Sequence, residues 1–326
     1  MSVTSAEVAR LAGVSRATVS YVLNDVPSQS ISSRTRETVL RAAEELGYRP
    51  NVLARSLKRG RSDNVVFPMP GMQLNHALSC LVDACAAALA PLGLSLIRDF
   101  SDYPDPTQQL AAWTGLAPAA VLDIVLHHDH PALPGLRASG IPVLSAALPR
   151  ESGWESSGDV FAREQRLTQL RYLLDRGHRR ITTLIPRVVP VDPRTEQKLL
   201  RALRRVARSA GAELRIERAE LDEVAGVVAG LAPRPEALAA HNDEYAIAAL
   251  TALQHRGLRV PDDVAVIGID DLPLGRVVTP ALTTLSADVE AFAAALGRAV
   301  DGILSGRVID EPLPVPGQRL IVRQSA

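Results

Sequence analysis

Two short amphipathic helix patterns joined by a glycine occupy residues 4–23, and they constrain the fold of this chain more than any other feature. Thr4 and Glu7 have the spacing of a capping box at the start of the first helix. Gly13 is suited to end that helix and Ser15 to cap the second. We expect the apolar face of the first helix to comprise Val8, Leu11 and Ala12. The pattern predicts a helix-turn-helix, a DNA-reading motif; an ordinary helical hairpin packed against another domain is the alternative.

The second helix divides into an inner and an outer face. Helical spacing turns Val19, Val22 and Leu23 inward. It leaves on the outer face Arg16, Ala17, Ser20 and Tyr21. In a helix-turn-helix this is the face that meets base edges in the major groove. A third helix, from Ser32 or Ser33 to Glu45 or Leu46, completes a three-helix core, and a short helix can follow between Pro50 and Gly60.

The charge of the chain is unevenly distributed. The whole sequence holds 36 basic and 36 acidic side chains, but residues 1–62 hold ten basic and five acidic ones. The first 62 residues therefore carry a surplus of five positive charges and the remainder a surplus of five negative charges. Basic side chains bind phosphate without choosing a sequence. Because any solvated face can be charged, this observation supports the DNA-binding interpretation without establishing it.

Short sequence motifs at fixed spacing make this region resemble the LacI/GalR family of bacterial transcription regulators. They include Ala12-Gly13-Val14-Ser15, Thr18-Val19-Ser20, Val22-Leu23-Asn24, Glu45-Leu46-Gly47-Tyr48, Pro50-Asn51 and Ala54-Arg55-Ser56-Leu57. The resemblance implies a homodimer on a near-palindromic double-stranded DNA operator, with specificity positions at Arg16, Ala17 and Tyr21. It implies that Leu57 is an apolar wedge in the minor groove, on a segment from Asn51 to Lys58 that is helical only with DNA. The DNA contacts that it implies are Thr4, Ser15, Arg16, Ala17, Thr18, Ser20, Tyr21, Asn24, Arg34, Asn51, Ala54, Arg55 and Leu57.

From residue 61 onward, short apolar runs alternate with helical patterns, which predicts parallel sheets covered on both faces. The candidate strands are 65–69, 94–98, 120–126, 142–144, 181–185, 213–216, 237–240 and 264–269. Eight strands favour two doubly wound lobes. The predicted fold class is therefore α/β: a helix-turn-helix domain over 1–49, a hinge helix over 50–60, and a body over 61–326. The family resemblance implies that this body has two lobes similar to a type I periplasmic binding protein, with an effector cleft between them.

Ligands of such sheets bind beyond the carboxyl ends of the strands. Asn242 and Asp243 follow one predicted strand, and Asp270 and Asp271 follow another. Amides and carboxylates bind hydroxyl groups, but a helix cap is an equal alternative for the first pair, and a structural loop role is an alternative for the second. The predicted effector contacts are His76, Leu199, Asn242, Asp243 and Asp270.

The cleft departs from the family where a ligand is expected. Leu74-Asn75-His76-Ala77 replaces a common Asn-Pro-Phe-Phe, so we expect much of the aromatic wall to be missing. Ala147 stands where an aspartate is customary. Leu199, or Lys198 if the alignment shifts by one, stands where an arginine is common. We therefore expect weak or no binding of simple hexoses, and a small-molecule effector that is atypical and less polar, or none.

The sequence disfavours other functions. The segments assigned to the predicted cleft contain no nucleophile elbow and no phosphate-binding glycine loop. We therefore expect that the protein is not an enzyme and has no cofactor. His127-His128-Asp129-His130 is a poor metal site because adjacent loop residues rarely complete a tetrahedral set. Cys80 and Cys85 are five apart on a helical pattern, which favours unbonded core thiols in the cytoplasm. No signal peptide or membrane span is expected. The remaining alternatives are a regulator with a degenerate cleft, controlled by a partner protein or not at all, and a cytoplasmic solute-binding module.

Overall fold

The computed structural model describes residues 3–23, 31–49, 56–57, 59–69, 75–101, 103, 105–123, 130–145, 148–150, 153–155, 157–187, 193–307 and 313–326. The chain forms two compact units, Met1–Ser62 and Asp63–Ala326. We call them the N-terminal unit and the C-terminal unit. No helix among the described residues is long and apolar enough to cross a membrane.

The N-terminal unit is a bundle of three helices. They are α1 (Ser5–Ala12), α2 (Arg16–Leu23) and α3 (Ser33–Glu45). Glu7 accepts hydrogen bonds from the backbone N–H of Thr4 at 2.7 Å and from its hydroxyl at 2.9 Å, as the capping box predicts. Gly13 ends α1 with a φ of 65°, a left-handed conformation that favours glycine. The Ser15 hydroxyl accepts from the backbone N–H of Thr18 at 3.0 Å and so caps α2.

The three helices bury a small apolar core of their own. Its buried members are Val8, Ala9, Val19, Val22, Val39, Ala42 and Ala43. Leu23 and Ala12 pack against this core. The prediction that Leu11 also belongs to it is wrong, since 47% of Leu11 is exposed. Ala9 takes that place because residues 8, 9 and 12 lie on one face of α1, and residue 11 lies beside it.

The predicted hinge helix falls largely on residues outside the described ranges. Asn51, Ala54, Arg55 and Lys58 lie among them. Ser56 and Leu57 are described and helical, and 83% of Leu57 is exposed. Leu57 is therefore available for a contact outside the N-terminal unit.

The first lobe of the C-terminal unit is a parallel sheet with the strand order β2-β1-β3-β4. Its strands are β1 (Asn64–Pro68), β2 (Ser95–Asp99), β3 (Ala120–Asp123) and β4 (Val143–Ser145). Its helices are α4 (His76–Leu89), α5 (Pro106–Gly115) and α6 (Ala132–Ala138). A β-hairpin, β5 (Leu148–Arg150) and β6 (Gly153–Glu155), follows. Neither α6 nor the hairpin was predicted, since each is too short to show a clear period.

The second lobe is a parallel sheet with the strand order β10-β9-β7-β8. Its strands are β7 (Arg180–Ile185), β8 (Glu213–Arg218), β9 (Ala237–Ala239) and β10 (Ala265–Ile267). Its helices are α7 (Ser157–Asp175), α8 (Pro193–Ser209), α9 (Val224–Gly230) and α10 (Asp243–His255). Two parallel sheets flanked by helices confirm the predicted fold class, with the eight predicted strands at the expected places.

After the second lobe, the chain returns to the first. Strand β11 (Thr284–Asp288) leads to α11 (Val289–Leu304), and β12 (Gly317–Ile321) pairs antiparallel with β11. Helix α11 places Phe292, Leu296 and Val300 in the core of the first lobe. Beyond β12, Ser325 donates a 2.6 Å hydrogen bond to the carbonyl of Val266 in the second lobe. Residues 284–326 therefore connect the two lobes.

The two cysteines and His130 have structural surroundings. Both thiols are free; Cys85 is buried, and burial raises its pKa to about 12. Cys80 is only half-buried, so its assignment to the core is wrong. Residues 127–129 lie outside the described ranges. The ring of His130 stacks at 6.2 Å on Trp113, and its Nδ1 accepts a hydrogen bond from the backbone of Ala132.

Candidate functional site

The outer face of α2 is available for recognition. Burial of Val19 and Val22 fixes the rotation of the helix. Arg16 and Ala17 are exposed at its first turn, and Ser20 and Tyr21 are partly exposed one turn later. A guanidinium beside a methyl group can bind the donor and acceptor edges of bases in a major groove.

The other predicted DNA contacts have mixed outcomes. Thr4, Ser15 and Thr18 lie at the capped starts of α1 and α2, and Arg34 is exposed in the first turn of α3. Helix starts of this kind suit phosphate because their backbone N–H groups point outward. Asn24, Asn51, Ala54 and Arg55 lie outside the described residues.

The C-terminal unit contains a cavity of about 510 Å³ with walls from both lobes. This volume lies in the range of small-molecule sites. Its apolar walls include Phe67, Leu78, Leu81, Phe161, Ile269, Val289, Phe292 and Pro316. Its polar residues are Asn75, His76, Cys80, Gln165, Arg166, His241, Asn242, Asp270, Asp271 and Ser286.

The expected loss of an aromatic wall is wrong. Phe67 at the end of β1, Phe161 on α7 and Phe292 on α11 all line the cavity. These side chains come from elements far apart in sequence. The departure from the family motif around His76 therefore gave no information about them. Phe161 is partly exposed, whereas Phe67 and Phe292 are each 1% exposed and contribute to the wall mainly as core side chains.

Arg166 supplies a buried positive charge to the cavity. It lies on α7 and is only 9% exposed. Its guanidinium donates to the carbonyl of Ala240 at 2.9 Å and is 2.6 Å from Nδ1 of His241. Because arginine only donates, Nδ1 accepts, and the neutral ring carries its proton on Nε2. Burial, with the charge of Arg166, lowers the pKa of His241 to about 3.

Asp270 supplies a carboxylate to the same cavity. Burial and, to a smaller extent, the nearby charge of Asp243 raise its pKa to about 7, while Arg166 opposes the rise. Its φ of 112° is unusual for a residue with a side chain. Asp271, also with a positive φ, forms ion pairs with Arg276 and Arg323 and holds the loop. The structural alternative therefore fits Asp271, while Asp270 faces the cavity.

The structure brings together only some of the predicted effector residues. His76, Asn242 and Asp270 line the cavity, although Asn242 also caps α10 by accepting from Tyr245 N–H at 3.0 Å. Asp243 does not line it, since its fully buried carboxylate accepts from the backbone of Leu272 and the hydroxyl of Thr284. Leu199 does not line it either, because it packs against the core of the second lobe.

Comparison with known proteins agrees with this geometry. Residues 4–51 match the bacterial regulatory proteins of the lacI family, and residues 170–326 match the periplasmic binding protein-like domain. The HTH-type transcriptional regulator CelR of Thermobifida fusca is 30% identical over 337 residues, which span 98% of this chain and 96% of CelR. The chain belongs to the LacI family. It is accordingly a DNA-binding transcriptional regulator and not an enzyme.

Other relatives of this LacI-family chain are also regulators. The probable transcriptional repressor ExuR of Bacillus subtilis is 27% identical, over 88% of this chain and 87% of ExuR. The solved complex of CelR with cellobiose has a TM-score of 0.63 and 28% identity, covering 99% of this chain and all of that one. The lac repressor dimer bound to operator and the anti-inducer ONPF has a TM-score of 0.77 at 22% identity, covering 100% and 99%. This last likeness shows the shared fold.

Arg166 was not predicted from the sequence as a cavity residue, although the pattern of its helix contains one indication. Arg166 and Gln169 fall on the same helical stripe as the buried Leu170 and Leu173. Polar residues on an apolar stripe need partners inside the protein. Gln169 finds them in the carbonyls of Ala240, Ile267 and Gly268.

Proposed function

We propose that this LacI-family regulator represses transcription as a homodimer on a near-palindromic operator, under the control of a small molecule in the C-terminal unit. The observation that carries the proposal is the buried three-helix core that leaves Arg16 and Ala17 exposed on one face of α2. One such helix reads only a few base pairs, so two copies are needed for a selective site. Because its target is chromosomal DNA, we place the protein in the cytoplasm.

The proposed division of labour follows the sequence boundaries. Residues 1–49 read the operator, residues 50–60 form the hinge helix with Leu57 as a wedge, and residues 61–326 dimerise and bind the effector. An apolar wedge unstacks a base step and bends the duplex. The exposure of Leu57 supports this role, because transfer of an apolar side chain from water into a contact with DNA lowers the free energy.

We assign the dimer contact to an exposed apolar pair that follows β10. Leu274 is 61% exposed and Val277 is 74% exposed. They lie three residues apart around a single turn of 3₁₀ helix, Pro273–Arg276, and such spacing places side chains on the same side. Neighbouring exposed apolar side chains are typical of an interface.

We propose that the 510 Å³ cavity holds the effector. CelR was solved with cellobiose, so a relative of this chain binds a sugar. In this chain several polar cavity groups are already bonded to the protein, among them Asn75, Asn242 and Asp271. A hexose would leave hydroxyls unpaired, each at a cost of about 1 to 3 kcal/mol. Simple hexoses should therefore bind weakly or not at all.

A genomic footprint followed by an anisotropy titration tests the proposal. The full-length protein is titrated onto a labelled footprint sequence and onto a scrambled duplex at several salt concentrations. We expect tighter, two-fold symmetric and salt-dependent binding to the footprint. Equal affinity for both duplexes would contradict sequence-specific regulation. Calorimetry with common hexoses then tests the cavity, and a micromolar hexose that alters operator affinity would contradict our interpretation of its polarity.

A further inference from the structure

Arg166 is a buried cation whose hydrogen-bond acceptors are all neutral. Its Nη1 donates to the carbonyl of Ala240 and, at 3.5 Å, to Oε1 of Gln169; its Nη2 donates to His241. Among the described residues, none forms an ion pair with it. A guanidinium has five N–H groups, so the Nε hydrogen and one Nη2 hydrogen have no acceptor within that part of the chain.

A buried charge without a counter-charge is costly, and an arriving anion removes that cost. Asp270 is the carboxylate near Arg166, but it carries its own burial penalty and accepts no hydrogen bond from the described residues. Arg166 therefore has both the charge and the donors to receive an acidic group. A planar guanidinium is well suited to bind a carboxylate or sulfonate.

The rest of the cavity suits an apolar body. Phe161 lies one helical turn before Gln165 on α7, and Ala162 lies one turn before Arg166, so this surface of the helix joins an aromatic side chain to the cation. Leu81 and Val289, both partly exposed, face the same cavity from the first lobe. The four side chains thus combine one charged end with an apolar, partly aromatic wall.

We propose that the effector is an amphipathic organic anion, whose acidic head group accepts the remaining hydrogens of Arg166 and whose apolar or aromatic body packs against Leu81, Phe161 and Val289. This inference rests on the proposed function, because it concerns the same cavity. It names the chemical class of the ligand: a single acidic group on an apolar frame, in place of a polyhydroxylated sugar.

A pair of dyes that differ only in charge provides the test. The anionic probe is 8-anilinonaphthalene-1-sulfonate, and its uncharged analogue without the sulfonate is N-phenyl-1-naphthylamine. We expect the full-length protein to bind one sulfonate dye per chain, at least about tenfold more tightly than the analogue. Equal affinities, or the absence of a one-to-one sulfonate complex, would overturn the proposal.

Arg166→Gln should remove this preference. We expect the variant to lose about tenfold or more in affinity for the sulfonate and less than about twofold for the analogue. Arg171→Gln is the matched control, because Arg171 is an exposed residue of the same helix and its loss changes the net charge equally. A preference that survives in Arg166→Gln would show that Arg166 does not bind the acidic group.

A second measurement does not depend on the folding of the Arg166 variant. Ionisation of Asp270 places a negative charge near the sulfonate, so the wild-type preference should weaken as the pH rises from 6 to 8. The charged and titratable groups facing Asp270 are Arg166 on α7, His241, Asp243, Glu244 and Asp271 in the second lobe, and His76 across the cavity. Asp270→Asn should abolish the pH dependence, whereas Asp262→Asn, at an exposed carboxylate of the same lobe, should retain it. A pH dependence that persists in Asp270→Asn would contradict this arrangement.

Operator binding by the same protein samples separates the two levels of the proposal. If the operator is bound specifically but the dyes are not distinguished, the ligand class is wrong and the regulator remains. If the operator is not bound, the proposed function itself fails.

Discussion

Asp243 accepts a hydrogen bond from the backbone N–H of Leu272 at 2.7 Å. The same carboxylate accepts from the hydroxyl of Thr284 and approaches Gly268, where an added Cβ would lie 2.0 Å from its Oδ1. Asp243 thereby joins the start of α10 to the loop after β10 and to the crossing strand β11. It holds the loop that carries Asp270, although it does not itself reach the cavity.

Asp243→Ala should lower the free energy of unfolding by about 2 to 4 kcal/mol, because it leaves two buried donors without an acceptor. Asp243→Asn keeps an acceptor of the same shape and should cost less. Urea unfolding measures both. Asp262→Ala is the control, since Asp262 is an exposed carboxylate of the same lobe. A variant with Ala at 243 as stable as that control would contradict the structural role.

The stability of Asp270→Asn relative to the wild type should depend on pH. The pKa of Asp270 is raised from 3.8 to about 7 in the folded protein. Between about pH 4 and pH 7 the unfolded state binds fewer protons at this position than the folded state, so the wild type loses stability as the pH rises. The advantage of Asn should grow across this window, to about 2 to 4 kcal/mol, and stay constant above it. Urea unfolding at pH 5 and pH 8 checks this, and an unchanged difference would refute it.

Arg16→Ala should weaken binding to the operator by about 1 to 3 kcal/mol and affect random DNA far less, because a bidentate contact to guanine is lost. Anisotropy titrations on both duplexes measure the difference. Arg208→Ala removes the same charge from an exposed position in the C-terminal unit and serves as the control. Equal losses on the two duplexes would show that Arg16 contacts phosphate alone.

Leu57→Ala should reduce both the bend of the operator and its affinity, since a methyl group is too small to unstack a base step. Fluorescence resonance energy transfer between the ends of the duplex reports the bend. Leu11→Ala is a suitable comparison, because Leu11 is another partly exposed leucine of the N-terminal unit. An equally bent and equally bound operator would exclude the wedge.

Leu274→Asp should shift the protein from dimer to monomer, because it introduces a charge into the proposed apolar interface. Analytical ultracentrifugation at micromolar concentration measures the shift. Leu221→Asp, at another partly exposed leucine of the second lobe, should leave the dimer intact. A Leu274→Asp protein that remains dimeric would place the interface elsewhere.

Local chemistry made much of the fold predictable. The capping box of Thr4 and Glu7, the positive φ of Gly13 and the apolar strands depend on neighbouring residues, and each appears where the sequence predicts it. The short helix α6 was missed because it shows no clear period, and the strands β11 and β12 were not located because their pairing depends on distant partners.

The cavity was less predictable for the same physical reason. Asn242 and Asp270 could be found because they follow strands whose ends share one edge of a sheet. Arg166 lies in the middle of a helix, and its place in the cavity depends on the carbonyl of Ala240, 74 positions away. Leu199 was assigned by alignment alone, and helix α8 turns it toward the core.

The return of the chain from the second lobe to the first has a consequence for synthesis on the ribosome. The core of the first lobe includes Phe292, Leu296, Val300 and Leu313, which are translated after the whole second lobe. The N-terminal unit, whose core ends at Tyr48, can fold early. The first lobe follows it in sequence but cannot complete its core until α11 has left the exit tunnel. A prematurely terminated chain would therefore combine a folded DNA-binding unit with a first lobe whose apolar core is exposed to solvent.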